Sequence, residues 1–81
     1  MEGMPGEATK HKSTLAHEEI LSERELDVLR LLAAGESHKD IGQKLYLSLN
    51  TVQFHVKSLY RKLLVNKRVQ AIEKAREMKL I

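Results

Sequence analysis

A set of polar and aromatic residues in the second half of the chain recurs at helical spacing. The set is Asn50, Gln53, Phe54, Lys57 and Arg61. Residues three, four or seven positions apart share one face of an α-helix, and no acidic residue falls on this face. Amide and cationic groups form hydrogen bonds with base edges and phosphates, so the face suits a groove of DNA. From this helix alone, an ordinary surface helix with a solvated basic face is an equal alternative.

The opposite side of the same helix must hold that face in place. Val52, Val56, Leu59 and Leu63 follow one another at intervals of four, three and four residues. This spacing predicts one apolar stripe that packs against the rest of the domain. The polar face would then remain exposed to solvent or to a partner.

Composition and charge limit the classes of protein. The chain has 81 residues and no cysteine, so we expect one small domain without a disulfide or a thiolate site. It has no apolar run of membrane-spanning length and no signal-peptide pattern, so we expect a cytoplasmic protein with no membrane contact. Residues 18–40 contain seven acids and three bases, whereas residues 48–81 contain eight bases and two acids. A basic second half favours a polyanionic partner.

The chain divides into two parts. Residues 1–17 have almost no large apolar side chains, so we expect a disordered linker or residues left by recombinant expression. Residues 18–81 form the expected ordered domain. His11 and His17 have no carboxylate or cysteine company and are expected to be solvated rather than metal ligands. We expect no metal site and no cofactor.

Local signals predict where the first helix begins and ends. Ser22 and Glu25 have the spacing of a capping box, in which each side chain bonds the backbone of the other residue. Leu21 and Leu26 fit the hydrophobic staple that accompanies such a box. Gly35 is placed to end the helix in a left-handed conformation.

The next two helices are separated by only a few residues. Ser37 is the expected cap of a short second helix, and Ser48 is the expected cap of the helix described above. Gly42 lies inside the second helix, where a close approach by another helix would explain it. This spacing is typical of a helix-turn-helix.

A fourth helix is expected from about Lys67 to Met78, with Asn66 as its cap. Its main apolar stripe would be Ala71, Ile72, Ala75 and Met78. Four helices make an all-α, compact domain, which leaves no room for a cleft of enzyme size. Ser58 and His55 are three residues apart but lack a placed acid and an oxyanion hole, so we do not expect an enzyme.

These motifs together resemble the LuxR-type helix-turn-helix domain of bacterial transcription regulators. The likeness covers residues 21–81 and rests on Leu21-Ser22-Glu23-Arg24-Glu25, Val28-Leu29, Gly35, Ile41, Leu45, Ser48, Thr51-Val52, His55-Val56, Lys62-Leu63, Arg68 and Ala71. Within the family, residues 47–52 and 71–77 are most similar to the C-terminal domains of large ATP-dependent, maltose-activator-like regulators.

The resemblance implies sequence-specific binding of double-stranded DNA, with a recognition helix at about 49–64 in the major groove. The family's base-reading positions fall on Gln53, Phe54 and Lys57. Its backbone-contacting positions fall on Thr51, His55, Arg61 and neighbouring polar residues, which we take as Ser48 and Asn50. The family's fourth helix often mediates dimerisation, so the candidate contacts for a homodimer on DNA are Val69, Ile72, Ala75 and Arg76.

The residues themselves leave alternatives open. Gln53 suits an adenine edge and Phe54 a thymine methyl group, although Phe54 could instead touch the turn before its helix. His55 is as well suited to a half-buried structural place as to a phosphate. The ring of Tyr60 is expected to pack while its hydroxyl reaches a phosphate, and Lys39 is expected to help the second helix hold the backbone. Lys67 and Arg68 suit either the DNA backbone or solvent.

Three positions depart from the usual pattern of the family. Gln53 replaces a common Lys, which alters the bases that are read, and Gly42 replaces a usual Ala. Leu64 replaces a common Gly, which puts the left-handed end of the recognition helix in doubt. The rival function is a protein-interaction module that docks on RNA polymerase or another regulator. Salt-dependent retention on DNA would distinguish the two functions.

Overall fold

Residues 20–81 are described by a computed structural model, and four α-helices lie wholly within this range. They are α1 (Glu23–Ala33), α2 (His38–Leu45), α3 (Leu49–Leu63) and α4 (Arg68–Glu77). The described range contains no strand, so the predicted all-α fold is confirmed. The predictions for residues 1–17, including His11 and His17, concern positions outside the described residues. No helix between residues 20 and 81 has both the length and the apolarity needed to cross a bilayer.

The core forms where α3 packs across α1 and α2. The predicted stripe on α3 is confirmed, because Val52, Val56, Leu59 and Leu63 are all buried. The segment before α1, the other helices and the C-terminal residues add the remaining buried apolar side chains: Leu21, Leu26, Val28, Leu29, Leu32, Ile41, Ala71, Ala75 and Leu80. Burial of one side of α3 fixes which of its side chains face outward.

The capping box at the start of α1 is confirmed. The backbone N–H of Glu25 donates to the Ser22 hydroxyl at 3.1 Å, and the backbone N–H of Ser22 donates to the Glu25 carboxylate at 2.9 Å. Both N–H groups belong to the first turn and have no partner within the helix. Leu21 and Leu26 are both buried in the core, as the predicted staple requires.

We expect Ser22→Ala to lower the free energy of unfolding by about 1 kcal/mol, because it removes the acceptor for the Glu25 N–H. In a domain of this size such a loss lowers the melting temperature by about 4–8 °C, which a thermal melt followed by circular dichroism would detect. Ser22→Thr keeps a hydroxyl acceptor and is the matched control. An unchanged melt for the alanine variant would show that the cap contributes nothing.

The end of α1 also follows the prediction. Gly35 has a φ of 92°, in the left-handed region that favours glycine. The N–H of Gly35 donates to the Leu32 carbonyl and the N–H of Glu36 donates to the Leu31 carbonyl, both at 3.0 Å. This pair of bonds satisfies two of the last carbonyls of the helix and turns the chain towards α2.

The turn between α2 and α3 explains Gly42 differently from the prediction. Ser37 and Ser48 cap the two helices as expected. A Cβ atom at position 42 would lie 2.7 Å from the Leu47 carbonyl oxygen and 3.5 Å from a methyl group of Val52. The closest approach is therefore made by the backbone of the turn, and only secondarily by helix α3.

Two predictions about the junction of α3 and α4 need correction. Leu64 has a φ of 59°, so a leucine keeps the left-handed end that the missing glycine had put in doubt. Asn66 is not the cap of α4. Lys67 is the N-cap instead: its backbone is extended, and its side chain makes no capping hydrogen bond. Asn66 lies in the turn, where its N–H donates to the Gln70 side chain at 3.0 Å.

Arg68 holds the start of α4 against the end of α1. Its guanidinium donates to the Leu32 carbonyl at 2.6 and 3.2 Å and to the Glu36 carbonyl at 2.8 Å. The Leu32 carbonyl, at the end of α1, also accepts from the Gly35 N–H, and the Glu36 carbonyl lies in the turn that follows. Arg68 is therefore a structural residue, a role that neither suggestion from the sequence, DNA backbone or solvent, included.

Candidate nucleic-acid interface

The outward face of α3 is formed by the five residues singled out at the start. Asn50, Gln53, Phe54, Lys57 and Arg61 are all exposed, and Phe54 retains 67% of its accessible surface. At 100° per residue they fall within an arc of roughly 100° on the side opposite the buried stripe. We call these five residues the reading face. Their predicted exposure is confirmed, and their roles stay predictions.

The cations of the reading face are free of acidic neighbours. Lys57 and Arg61 form no ion pair with any residue between 20 and 81. Two acids of the first half of the chain already have basic partners there, since Arg24 and Arg30 flank Asp27, and Lys44 bonds Glu36 at 2.8 Å. The reading face thus keeps its positive charge available for an anionic partner.

The start of α3 carries three of the predicted backbone contacts. The Thr51 N–H donates to the Ser48 hydroxyl at 3.1 Å, and that hydroxyl donates to the Thr51 side chain at 2.9 Å. A phosphate that accepts from Ser48 must therefore displace the bond to Thr51. Asn50 is fully outside this pair and exposed. Lys39 lines an open groove beside the turn, close to the first residue of α3, Leu49.

His55 and Tyr60 occupy the two flanks of α3. The His55 ring is half-buried and meets the Phe54 ring edge-on, with 5.8 Å between centroids and 65° between planes. Tyr60 is half-buried and packs on the core as expected. Burial raises the pKa of the Tyr60 phenol, although the charge of Arg68 acts in the opposite direction. The phenol therefore remains a neutral hydrogen-bond donor at pH 7.

Sequence reasoning missed a buried network behind the reading face. The Glu25 carboxylate accepts hydrogen bonds from the Lys62 ammonium at 2.9 Å, from the Ser58 hydroxyl and from the Ser22 N–H at 2.9 Å. The side chain of Glu25 is only 6% exposed, while that of Lys62 is 40% exposed. The network ties the start of α1 to the second half of α3.

The network leaves a clear electrostatic signature. Burial acts to raise the pKa of Glu25, but the bonds from Lys62, Ser58 and the Ser22 backbone outweigh it and lower the pKa from 4.5 to about 2. Glu25 is therefore ionised at neutral pH and paired inside the fold. The available signal in the sequence was Ser58 and Lys62, four residues apart on one side of α3. Nothing local indicated that Glu25 would meet them.

The candidate dimer face on α4 is smaller than predicted. Val69 is 65% exposed, Ile72 is half-buried and Arg76 is exposed. Ala75 is wrongly included, because its side chain is fully buried in the core of its own domain and offers no surface to a second copy. In the described part of the chain no group of three or more His, Asp or Glu side chains lies close enough to hold a metal ion.

Comparison with known proteins gives one family. Residues 19–75 match the family described as bacterial regulatory proteins, luxR family. Similar proteins include the transcriptional regulatory protein LiaR of Bacillus subtilis, 40% identical over 60 residues, which are 74% of this chain and 28% of LiaR. The nitrate/nitrite response regulator protein NarP of Escherichia coli is 52% identical over 52 residues, which are 64% of this chain and 24% of NarP.

A third similar protein is the transcriptional regulatory protein DegU of Brevibacillus brevis. It is 45% identical over 53 residues, which are 65% of this chain and 22% of DegU. The chain therefore spans only about a quarter of the length of the relatives it matches. All three names describe regulators, and none describes an enzyme.

Proposed function

Because the chain belongs to the luxR family of bacterial regulatory proteins, we propose that it binds double-stranded DNA as the output domain of a transcription regulator. The observation that carries the proposal is the reading face, which is exposed, free of acids and held rigidly by a buried stripe on the same helix. A helix of this kind fits the major groove of B-DNA, where base edges present donors and acceptors. Helix α3 is thus the proposed recognition helix.

The proposed contacts fall into two groups. Gln53, Phe54 and Lys57 lie in the first two-thirds of α3 and would reach base edges. The remaining polar groups would bond phosphates and set depth and register: Lys39, Ser48, Asn50, Thr51, His55, Tyr60 and Arg61. Their placement supports this division, because Lys39 lies on α2 beside the turn and the others lie at the start of α3, on its flanks or near its end.

We also propose two protein partners, a second copy of the chain and RNA polymerase. Two copies would pair on DNA through Val69, Ile72 and Arg76. This face is too small for a tight dimer in solution, so adjacent half-sites would supply the effective concentration. Contact with RNA polymerase would use surface that the DNA leaves free. We propose a cytoplasmic location, as bacterial DNA requires.

The parent protein is a separate proposal. The likeness of residues 47–52 and 71–77 to maltose-activator-like regulators supports a large ATP-dependent parent. The three relatives described above bear other names, including that of a response regulator. The sequence that surrounds this domain in its gene would decide between the two kinds of parent.

The test is a titration of binding against salt, made with wild type and Arg61→Ala. We expect wild-type affinity for any duplex to fall steeply with salt. Arg61→Ala should weaken specific and random DNA alike and reduce the salt slope by about one ion, because it removes one phosphate contact. The readout is fluorescence anisotropy at several salt concentrations.

Arg30→Ala is the matched control, since it removes the same charge from α1, where Arg30 is exposed and faces Asp27. Its slope should equal that of wild type. A wild-type chain that binds no duplex, or that binds without salt dependence, would contradict the proposed function and favour the polymerase-docking module. Equal slopes for wild type and Arg61→Ala would remove Arg61 from the phosphate contacts.

A further inference from the structure

The chemistry of Gln53 and Phe54 points to the bases that the domain recognises. Resting on the proposed function, we propose that these two adjacent residues read an A·T pair, or two neighbouring A·T pairs, in each half-site. Phe54 contacts the thymine methyl group and Gln53 bonds the adenine edge. The half-site is therefore distinguished by a methyl group as well as by hydrogen bonds.

Phe54 has no structural reason for its place. The side chain is 67% exposed on the side of α3 opposite the core. The alternative raised from sequence was packing on the turn before the helix, but the aromatic neighbour of Phe54 is His55 on its own helix. Two-thirds of the surface of Phe54 therefore remains available for a partner.

The ring of Phe54 is also held in position. The edge-on contact with the half-buried His55, at 5.8 Å between centroids, restricts the ring, while 67% of the side chain stays exposed. A ring restricted in this way loses less conformational freedom when it binds. In the major groove the apolar group that such a ring can meet is the C5 methyl of thymine.

Gln53 adds the second half of the same recognition. Adjacent Cα atoms are about 3.8 Å apart, close to the roughly 3.4 Å between base pairs, and both residues lie on the reading face, so Gln53 and Phe54 reach the same pair or adjacent pairs. An A·T pair shows both the adenine N6 and N7 groups, which suit a glutamine amide, and the thymine methyl. Lys57 lies about one turn further along the helix and meets a different base pair.

The test replaces single groups on the DNA. The starting duplex is a site selected from a random pool with the full 81-residue chain. Each thymine is replaced in turn by deoxyuridine, which lacks only the methyl group. At one thymine per half-site we expect binding to weaken about three- to fivefold, the loss that corresponds to one buried methyl group. Replacement of the paired or adjacent adenine by 7-deazaadenine, which lacks N7, should weaken binding separately.

Variants assign the two effects to their residues. Phe54→Ala should bind the thymine and uracil duplexes equally, while Gln53→Ala should keep the methyl effect and lose the response to 7-deazaadenine. Tyr46→Ala is the matched aromatic control, because Tyr46 is 95% exposed in the turn and lies outside the reading face. It should keep both responses of the wild type.

The outcomes separate this inference from the proposed function. If the wild-type chain binds with steep salt dependence but no uracil substitution changes the affinity, the thymine contact is wrong and DNA binding stands. A methyl effect that persists unchanged in Phe54→Ala overturns the assignment to Phe54. If the chain selects no site and binds no duplex, the proposed function itself fails.

Discussion

Glu25→Ala is expected to lower the free energy of unfolding by about 3 kcal/mol, the lower end of the range for removal of one partner of a buried ion pair. For a domain of about sixty residues this is a large part of the total stability and lowers the melting temperature by about 12–24 °C. The substitution removes the acceptor for Ser22, Ser58 and Lys62 together. Ser58 would be left buried without its partner.

The dependence of stability on pH gives a second measurement of the same network. The pKa of Glu25 is about 2 in the folded chain against an ordinary value of 4.5. A carboxyl group with a lowered folded pKa stabilises the fold at all pH values above its unfolded pKa, and this contribution is lost as the pH falls towards the folded pKa. The two values correspond to about 3 kcal/mol, lost between about pH 5 and pH 2.

Two variants isolate the cause. Glu25→Gln keeps an acceptor for Ser22 and Ser58 but removes the charge, so it should flatten the loss of stability between pH 5 and pH 2. Glu23→Ala is the matched control in the same first turn, where the side chain is exposed. It should melt close to wild type. If Glu25→Ala melts like Glu23→Ala, the network adds nothing to stability.

Lys57→Ala is expected to weaken binding to the selected site by about 1–3 kcal/mol, or roughly 5- to 150-fold, because it removes a base contact. The side chain is exposed at the centre of the reading face and unpaired among residues 20–81. Preference at one base position per half-site should relax, since an ammonium group at that depth favours guanine acceptors. Binding isotherms and a repeated site selection measure the two effects.

The comparison with random DNA decides the role of Lys57. A base contact lowers affinity for the selected site much more than for random duplex, whereas a phosphate contact lowers both alike. Lys44→Ala is the matched control, because Lys44 lies on α2, outside the reading face, and is already paired with Glu36. Equal losses on selected and random DNA in Lys57→Ala would show that Lys57 contacts a phosphate, and its assignment as a base-reading residue would be wrong.

Features that depend on a few neighbouring residues could be predicted from sequence. The capping box of Ser22 and Glu25 and the caps at Ser37 and Ser48 each involve residues three apart, and all were observed. The start of α4 was misplaced by one residue because no side chain caps it, and Asn66 was the most typical capping residue nearby. The left-handed Leu64 could not be predicted, since the local preference of leucine opposes it.

Contacts between distant parts of the chain were beyond sequence reasoning. Glu25 meets Ser58 and Lys62 across 33 and 37 positions, and Arg68 meets Leu32 across 36. Each contact depends on the packing of α1 against two other helices, which local patterns do not specify. The reading face could be predicted because helical periodicity alone separates it from the buried stripe. The burial of Ala75 required the fold, because the periodicity of α4 does not tell a core contact from a partner contact.

The hydrogen bonds at the two ends of α1 make that helix a rigid connection of fixed length between α3 and α4. One end bonds the proposed recognition helix, α3, through Glu25 and Lys62, and the other end bonds α4 through Arg68. With eleven residues α1 is about 16 Å long. If two copies pair through α4, the distance between their two α3 helices is fixed, because no flexible segment lies between the bonded ends of α1. The distance between half-sites would then have one preferred value, and sites with a different spacing would bind more weakly.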